Sequence, residues 1–223
     1  RLKTMKHYYL IVDTETTAQN TVADFGAVIV DRQGVIHEQF GVLIDGHFGT
    51  LPLFSDHRAP AEAFFSTQML HRRRKHYDQL LANGQRSLCS ASLVNLWLAR
   101  VLGQYDPVLT AYNLSFDFGK CANTDIDLGI FSQRFCLMKA AKRVIGIRAD
   151  YVQFCNDRGL ITPTGKPRMT ADAMAKFLDD TNYDGSLEDE PHTALEDARD
   201  YEAMILYALL RDLSRNKLVE LGK

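Results

Sequence analysis

Over the first 45 positions the chain alternates short apolar runs with turn formers. Residues 8–12, 25–30 and 35–44 each carry the β-branched and aromatic content of a strand, and Asp31-Arg32-Gln33-Gly34 closes the last two into a hairpin. An irregular stretch, 46–60, precedes predicted helices over 61–81 and 88–102. A fourth strand over 107–112 leads directly into a helix near Leu114, and 134–137 reads as a fifth strand. Helical spacing then recurs over 139–145, 151–158, 171–178 and 194–213. Strands first, then strands alternating with helices, predict an α/β layer fold around a mixed sheet of five strands flanked by helices.

The chain has 223 residues, enough for one substantial core, so residues 1–223 are expected to form a single domain with 1–6 lying outside it and Met5 a candidate start. With 46% hydrophobic and 24% charged residues a packed globular fold follows. A net charge of -2 and a pI near 6.4 give no bulk attraction for polyanions or membranes, so any nucleic-acid contact has to be local. Four cysteines without a C-x-x-C pair predict reduced thiols rather than a zinc site. No apolar stretch approaches the roughly 20 residues of a membrane span, and no signal-peptide pattern is visible; a cytoplasmic protein is the expectation.

Three short segments carry the candidate chemistry. Asp13 and Glu15 close the first strand in Asp13-Thr14-Glu15-Thr16-Thr17, and the two-residue strand period turns both carboxylates to one face, where they can share a cation. Asp117, in Asn113-Leu114-Ser115-Phe116-Asp117-Phe118, falls in the first turn of the helix after the fourth strand, a place where a carboxylate also serves simply by facing the helix dipole. In His192-Thr193-Ala194-Leu195-Glu196-Asp197, Thr193 and Glu196 form a predicted capping box. That leaves His192 outside the helix and Asp197 one turn within it, a base on irregular chain beside an acid held rigidly. At about 100° per residue Asp197 lies on the margin of the helix's apolar arc, while Glu196, Arg199 and Asp200 fall on the solvated side. Glu202 also projects into the arc, with no assigned role. Four acids without a cysteine or histidine cluster select magnesium or manganese over zinc. Two such ions about 3.5–4 Å apart can drive phosphodiester hydrolysis, with a neutral histidine taking a proton from water.

Taken together, the three segments resemble the DEDDh exonucleases, the family of the proofreading subunit of bacterial DNA polymerase III, ribonuclease T and the TREX enzymes. The likeness spans about residues 8–207, with Asp-x-Glu, Asn-x-x-Phe-Asp and His-x-x-x-x-Asp in that order. It implies a ribonuclease H-like fold and a 3′-5′ exonuclease that releases nucleoside 5′-monophosphates. Asp13, Glu15, Asp117 and Asp197 would hold two Mg²⁺ ions, which Mn²⁺ can replace, and His192 would be the general base. Thr14, Thr16 and Thr17 would line the terminal-nucleotide pocket, with Asn113 and Phe116 supporting the second segment. The implied partners are 3′ ends of single-stranded nucleic acid, DNA favoured, with no membrane, the protein being a monomer or homodimer. An exoribonuclease of the ribonuclease T type and a non-catalytic 3′-end-binding module are the alternatives. Ala18 and Asp24 stand where the family often has Gly and Glu.

Weaker signals are the basic run His71-Arg72-Arg73-Arg74-Lys75-His76, a candidate backbone contact or a solvated helix face, and the looser set Lys139, Lys142, Arg143 and Arg148. Tyr112, Phe116 and Phe118 are candidate base-stacking or core rings.

Overall fold

The computed structural model describes residues 7–51, 53 and 66–223, without the side chains of 66–73. Its centre is a six-stranded mixed sheet in the order β4-β3-β2-β1-β5-β6, flanked by helices. The strands are β1 (Tyr8–Thr16), β2 (Val22–Asp31), β3 (Ile36–Ile44), β4 (Leu88–Cys89), β5 (Val108–Ala111) and β6 (Arg134–Cys136). β1 pairs antiparallel with β2, Tyr8 opposite Asp31 through Thr16 opposite Val22, and parallel with β5 on its other side. All ten residues of β2 are buried, as expected of a strand covered on both faces.

Side-chain alternation along β1 divides the core in two. Tyr9 and Ile11 join Val28 and Val30 under Met174 and Phe177 of α6 (Ala171–Asn182) and Ile205 and Leu209 of α8 (Ala203–Asp212). Leu10 and Val12 join Phe25, Ala27 and Ile29 against Val94 and Leu98 of α2 (Ala91–Tyr105). Each fully buried Leu, Ile or Phe contributes roughly 1.5–3 kcal/mol, so β1 is anchored on both faces before it reaches Asp13. The other α-helices among the described residues are α1 (Ser66–Ala82), α3 (Leu114–Ala122), α4 (Leu137–Val144), α5 (Ala149–Asp157), α7 (Ala194–Glu196) and α9 (Arg215–Leu221).

The structure corrects the sequence reading at several places. β1 runs on to Thr16, so Asp13 and Glu15 are within the strand. Leu88 and Cys89 do not begin a helix; they pair parallel with Leu43 and Ile44 as a sixth strand. The helix starts after them, at Ser90, whose hydroxyl accepts the Leu93 N–H, with Val94, Leu98 and Val101 on its buried stripe. A last helix, α9, was not expected; Ser214 caps it and Gly222 accepts the Cys136 N–H, tying it to β6. Positions 61–65 of the first predicted helix lie outside the described residues, as do 52 and 54–60 of the irregular stretch. All four cysteines are buried free thiols. Among the described residues no helix is long and apolar enough to cross a membrane.

Candidate active site

β1 and β5 are parallel neighbours, so their carboxyl ends emerge together, where open α/β sheets place their ligands. Asp13 and Glu15 continue the face of Tyr9 and Ile11, opposite Gly26 and Asp24 of β2. Thr14 points the other way, and its hydroxyl donates to Asp117 Oδ1 at 2.8 Å. Asp117 is buried in the first turn of α3, directly after β5. The second segment therefore reaches the end of β1 from the opposite helical layer.

A buried charged network fixes the third segment. Asp24, fully buried, accepts the Ala194 N–H at 2.9 Å, the Tyr77 hydroxyl at 3.0 Å and Arg86 Nε at 3.3 Å. Arg86 continues to Glu196 Oε2 at 2.5 Å. The expected capping box is thus replaced. Thr193 occupies the N-cap position but makes no side-chain capping bond, and the start of α7 is capped from β2 by Asp24. Glu196, expected in solvent, is held by Arg86 instead. Two glycines make the approach possible: a Cβ on Gly26 would stand 2.2 Å from the Ala194 carbonyl carbon, and one on Gly41 would stand 2.8 Å from both Leu195 Cδ2 and Arg86.

His192 lies just outside the helix, as expected, with a left-handed backbone, φ 56°. A non-glycine residue held there costs of order 1–3 kcal/mol and persists only where its surroundings impose it. Its Nδ1 is 4.0 Å from Glu15 Oε1 and 3.9 Å from Glu190 Oε2, ion-pair distances too long for direct hydrogen bonds. Ligand atoms of Glu15, His192 and Asp197 all lie within 4.8 Å of one another.

Burial, with repulsion between neighbouring acids, makes Asp13, Asp117 and Asp197 reluctant to ionise. Burial pushes Asp117 up to about 7 and Asp197 up to about 10, the latter helped by Glu190, Glu15 and Glu202. Asp13 is raised well above the ordinary carboxylate range, first by burial and then by Glu202, Asp117, Glu15 and Asp197. Asp197 Oδ1 is buried without a hydrogen-bond partner. An all-carboxylate set with an orphaned buried oxygen fits a hard divalent cation, which would supply the missing charge and the missing partner together.

The sequence matches no protein-family model and no curated protein.

Around the acids, Thr16 is half-buried, and Thr17 is buried with its hydroxyl 2.7 Å from that of Thr21. Asn113 is exposed and accepts from Ser115. Phe116 is 40% exposed beside Asp117, with the Lys120 ammonium 4.7 Å from its ring centre. Tyr112 is core, its hydroxyl donated to Met169 O, and Phe118 lies under the Arg134 guanidinium. In the basic run Arg74 and Lys75 are exposed, while the side chains of 71–73 lie outside the described residues. Lys139 and Arg143 bond the carbonyls of Lys223 and Leu221, and Arg148 pairs with Asp150, so these three serve the fold. Sequence reasoning missed Asp24 and Arg86 as supports, Glu190 beside the histidine, and Glu202 as a member of the acid group. The two glycines on neighbouring strands were the available signal for the first pair.

Proposed function

We propose that the protein is a 3′-5′ exonuclease that hydrolyses the terminal phosphodiester of single-stranded nucleic acid, DNA favoured, and releases nucleoside 5′-monophosphates. The observation that carries this reading is the convergence of Glu15, His192 and Asp197 within 4.8 Å. Asp13 and Asp117 belong to the same electrostatic group at the ends of β1 and β5. The five residues come from three distant segments, and each has the type the reaction requires. The sheet is read as ribonuclease H-like, with β3-β2-β1-β5-β6 as its five strands and β4 added at the edge.

In this reading Asp13, Glu15, Asp117 and Asp197 hold two Mg²⁺ ions, with Mn²⁺ able to replace them. Bound there, the ions supply Lewis-acid stabilisation of the charge that develops on the phosphate. His192, standing between Glu15 and Glu190, takes a proton from the attacking water. The P–O3′ bond breaks, and the shortened strand keeps its 3′ oxygen. Thr14 positions Asp117 through its hydroxyl. Phe116, exposed at the lip, offers a ring face to the terminal base.

The test uses 5′-labelled single-stranded DNA and RNA with Mg²⁺, Mn²⁺ or EDTA. Wild type is expected to give a ladder shortening from the 3′ end that EDTA abolishes, and the faster substrate names the preferred sugar. His192→Ala should lose about 10²–10⁴-fold in rate, the range for a general base. Retained metal-dependent cleavage in Asp13→Ala overturns the assignment, and intact substrates with wild type favour a 3′-end-binding module.

A further inference from the structure

The helix that carries Asp197 is not regular. Between α7 and α8, Asp197–Glu202 form a π-helical segment, closed where the Ala203 N–H donates to Ala198 O five residues back. In an α-helix residues five apart stand about 140° from each other, whereas a turn closed by i→i+5 bonds brings them almost into line. The π turn thus swings Glu202 round to the side of Asp197, and the segment packs on β1 and β2. Glu202 is 2% exposed. Its Oε2 has no hydrogen-bond partner. Among the charges around Asp13, that of Glu202 acts most strongly, and Asp117 is the strongest charge on Glu202 itself.

A buried carboxylate kept for structure is satisfied by donors, as Asp24 is by Ala194, Tyr77 and Arg86. Glu202 instead keeps a buried oxygen without a partner, on a non-α segment packed against β1 and β2. We infer that Glu202 is a further carboxylate of the cation site proposed for Asp13, Glu15, Asp117 and Asp197, offering its buried, unpartnered oxygen from the side of Asp197. This rests on the reading that those acids bind divalent cations, and it adds a ligand that none of the three sequence segments contains.

The experiment is Mn²⁺ titration calorimetry on the full chain, with melting temperature in EDTA as a second readout, for wild type, Glu202→Gln, Glu202→Ala and Asp13→Asn. The inference expects both Glu202 variants to bind Mn²⁺ about tenfold or more weakly, the lower end of the loss seen when a metal's supporting groups are removed. Glu202→Gln should melt in EDTA no lower than wild type, because a repelling buried acid has been neutralised. Wild-type affinity in Glu202→Gln, with Asp13→Asn weakened, overturns the inference and leaves the cation reading standing. A lower melting temperature in both Glu202 variants at unchanged affinity overturns it in favour of a structural role. Failure of wild type to bind Mn²⁺ removes the cation reading and this inference together.

Discussion

Glu196 and Asp197 are adjacent in the chain, yet they belong to two regions that treat buried charge in opposite ways. On one side Glu196, Arg86, Asp24 and Tyr77 form a closed network in which Asp24 collects three donors and Arg86 bridges two acids. On the other, Asp197 and Glu202 each bury an oxygen without a partner beside Asp13, whose burial and acidic neighbours raise it strongly. The fold can evidently satisfy a buried carboxylate when the carboxylate serves the fold. Where it leaves two unsatisfied a few residues away, the proposed cation is the partner that would complete them.

The largest effect should come from breaking the closed region. Arg86→Met removes the only cation shared by Asp24 and Glu196 in that network and is expected to cost about 3–5 kcal/mol in urea unfolding in EDTA, the usual result of orphaning a buried charge. Asp197→Asn, measured alongside, should cost nothing or stabilise the metal-free protein. Equal losses in the two variants would erase the distinction between the regions.

A smaller effect, which should appear only in the open region, is the pH dependence of the metal-free protein. The folded-state values of Asp117 and Asp197, about 7 and about 10, lie above the ordinary 3.8. The folded state therefore holds these protons more tightly than the unfolded chain. Their contribution is fully present below about pH 4 and is lost as pH rises through about 7 and on toward 10. Asp31 and Glu38, held low by His37 and Arg100 among others, work at acid pH and leave the upper range to the site. Thermal melts in EDTA should fall from pH 5 to pH 9. Saturating Mn²⁺ should flatten that slope, and at a hundred times its dissociation constant it adds about 2.7 kcal/mol. A flat or rising metal-free profile would mean that the acids ionise freely.

How much of this was legible in the chain follows the range of each interaction. Asp117 after β5 and His192 ahead of Asp197 are set by helix boundaries and lie where that reasoning put them, and Asp13 and Glu15 share a strand face as their period suggested, although the strand runs on past them. Thr193 is the N-cap of α7 as its sequence suggests, but the capping box was misread, because the side-chain acceptor at this helix start, Asp24, is 170 positions away. β4 could not be separated from the helix behind it, since two residues have no period and only their pairing with β3 makes them a strand. Glu202 lay on the apolar arc of an ideal wheel, but its meaning depends on a π turn that no wheel contains. Arg86 had no local mark. Its signature was distributed over Gly26 and Gly41, small residues at matched positions of two strands, which open the space that Arg86 and Leu195 fill.

That space gives the smallest and most discriminating perturbation. Gly26→Ala forces a methyl group against the Ala194 carbonyl carbon, and the start of α7 has to move outward. Overpacking of this kind costs about 1–3 kcal/mol, less than the loss of Arg86, and the bonds of Asp24 to Arg86 and Tyr77 should survive it while that to the Ala194 N–H is strained. His192, two residues before Ala194, moves with the helix start, and a misplacement of about 1 Å in a reacting group can cost 10²-fold in rate. The expected result is a variant that unfolds only slightly earlier than wild type in urea, binds Mn²⁺ through acids carried mainly by β1 and α3, and cleaves about a hundredfold more slowly. Gly103→Ala, in α2 where an added methyl meets nothing within 4 Å, should leave Mn²⁺ affinity and rate unchanged and stabilise by up to about 1 kcal/mol. If Gly26→Ala loses stability and rate only in proportion, the network holds the fold without positioning the histidine, and the two regions are neighbours rather than support and site.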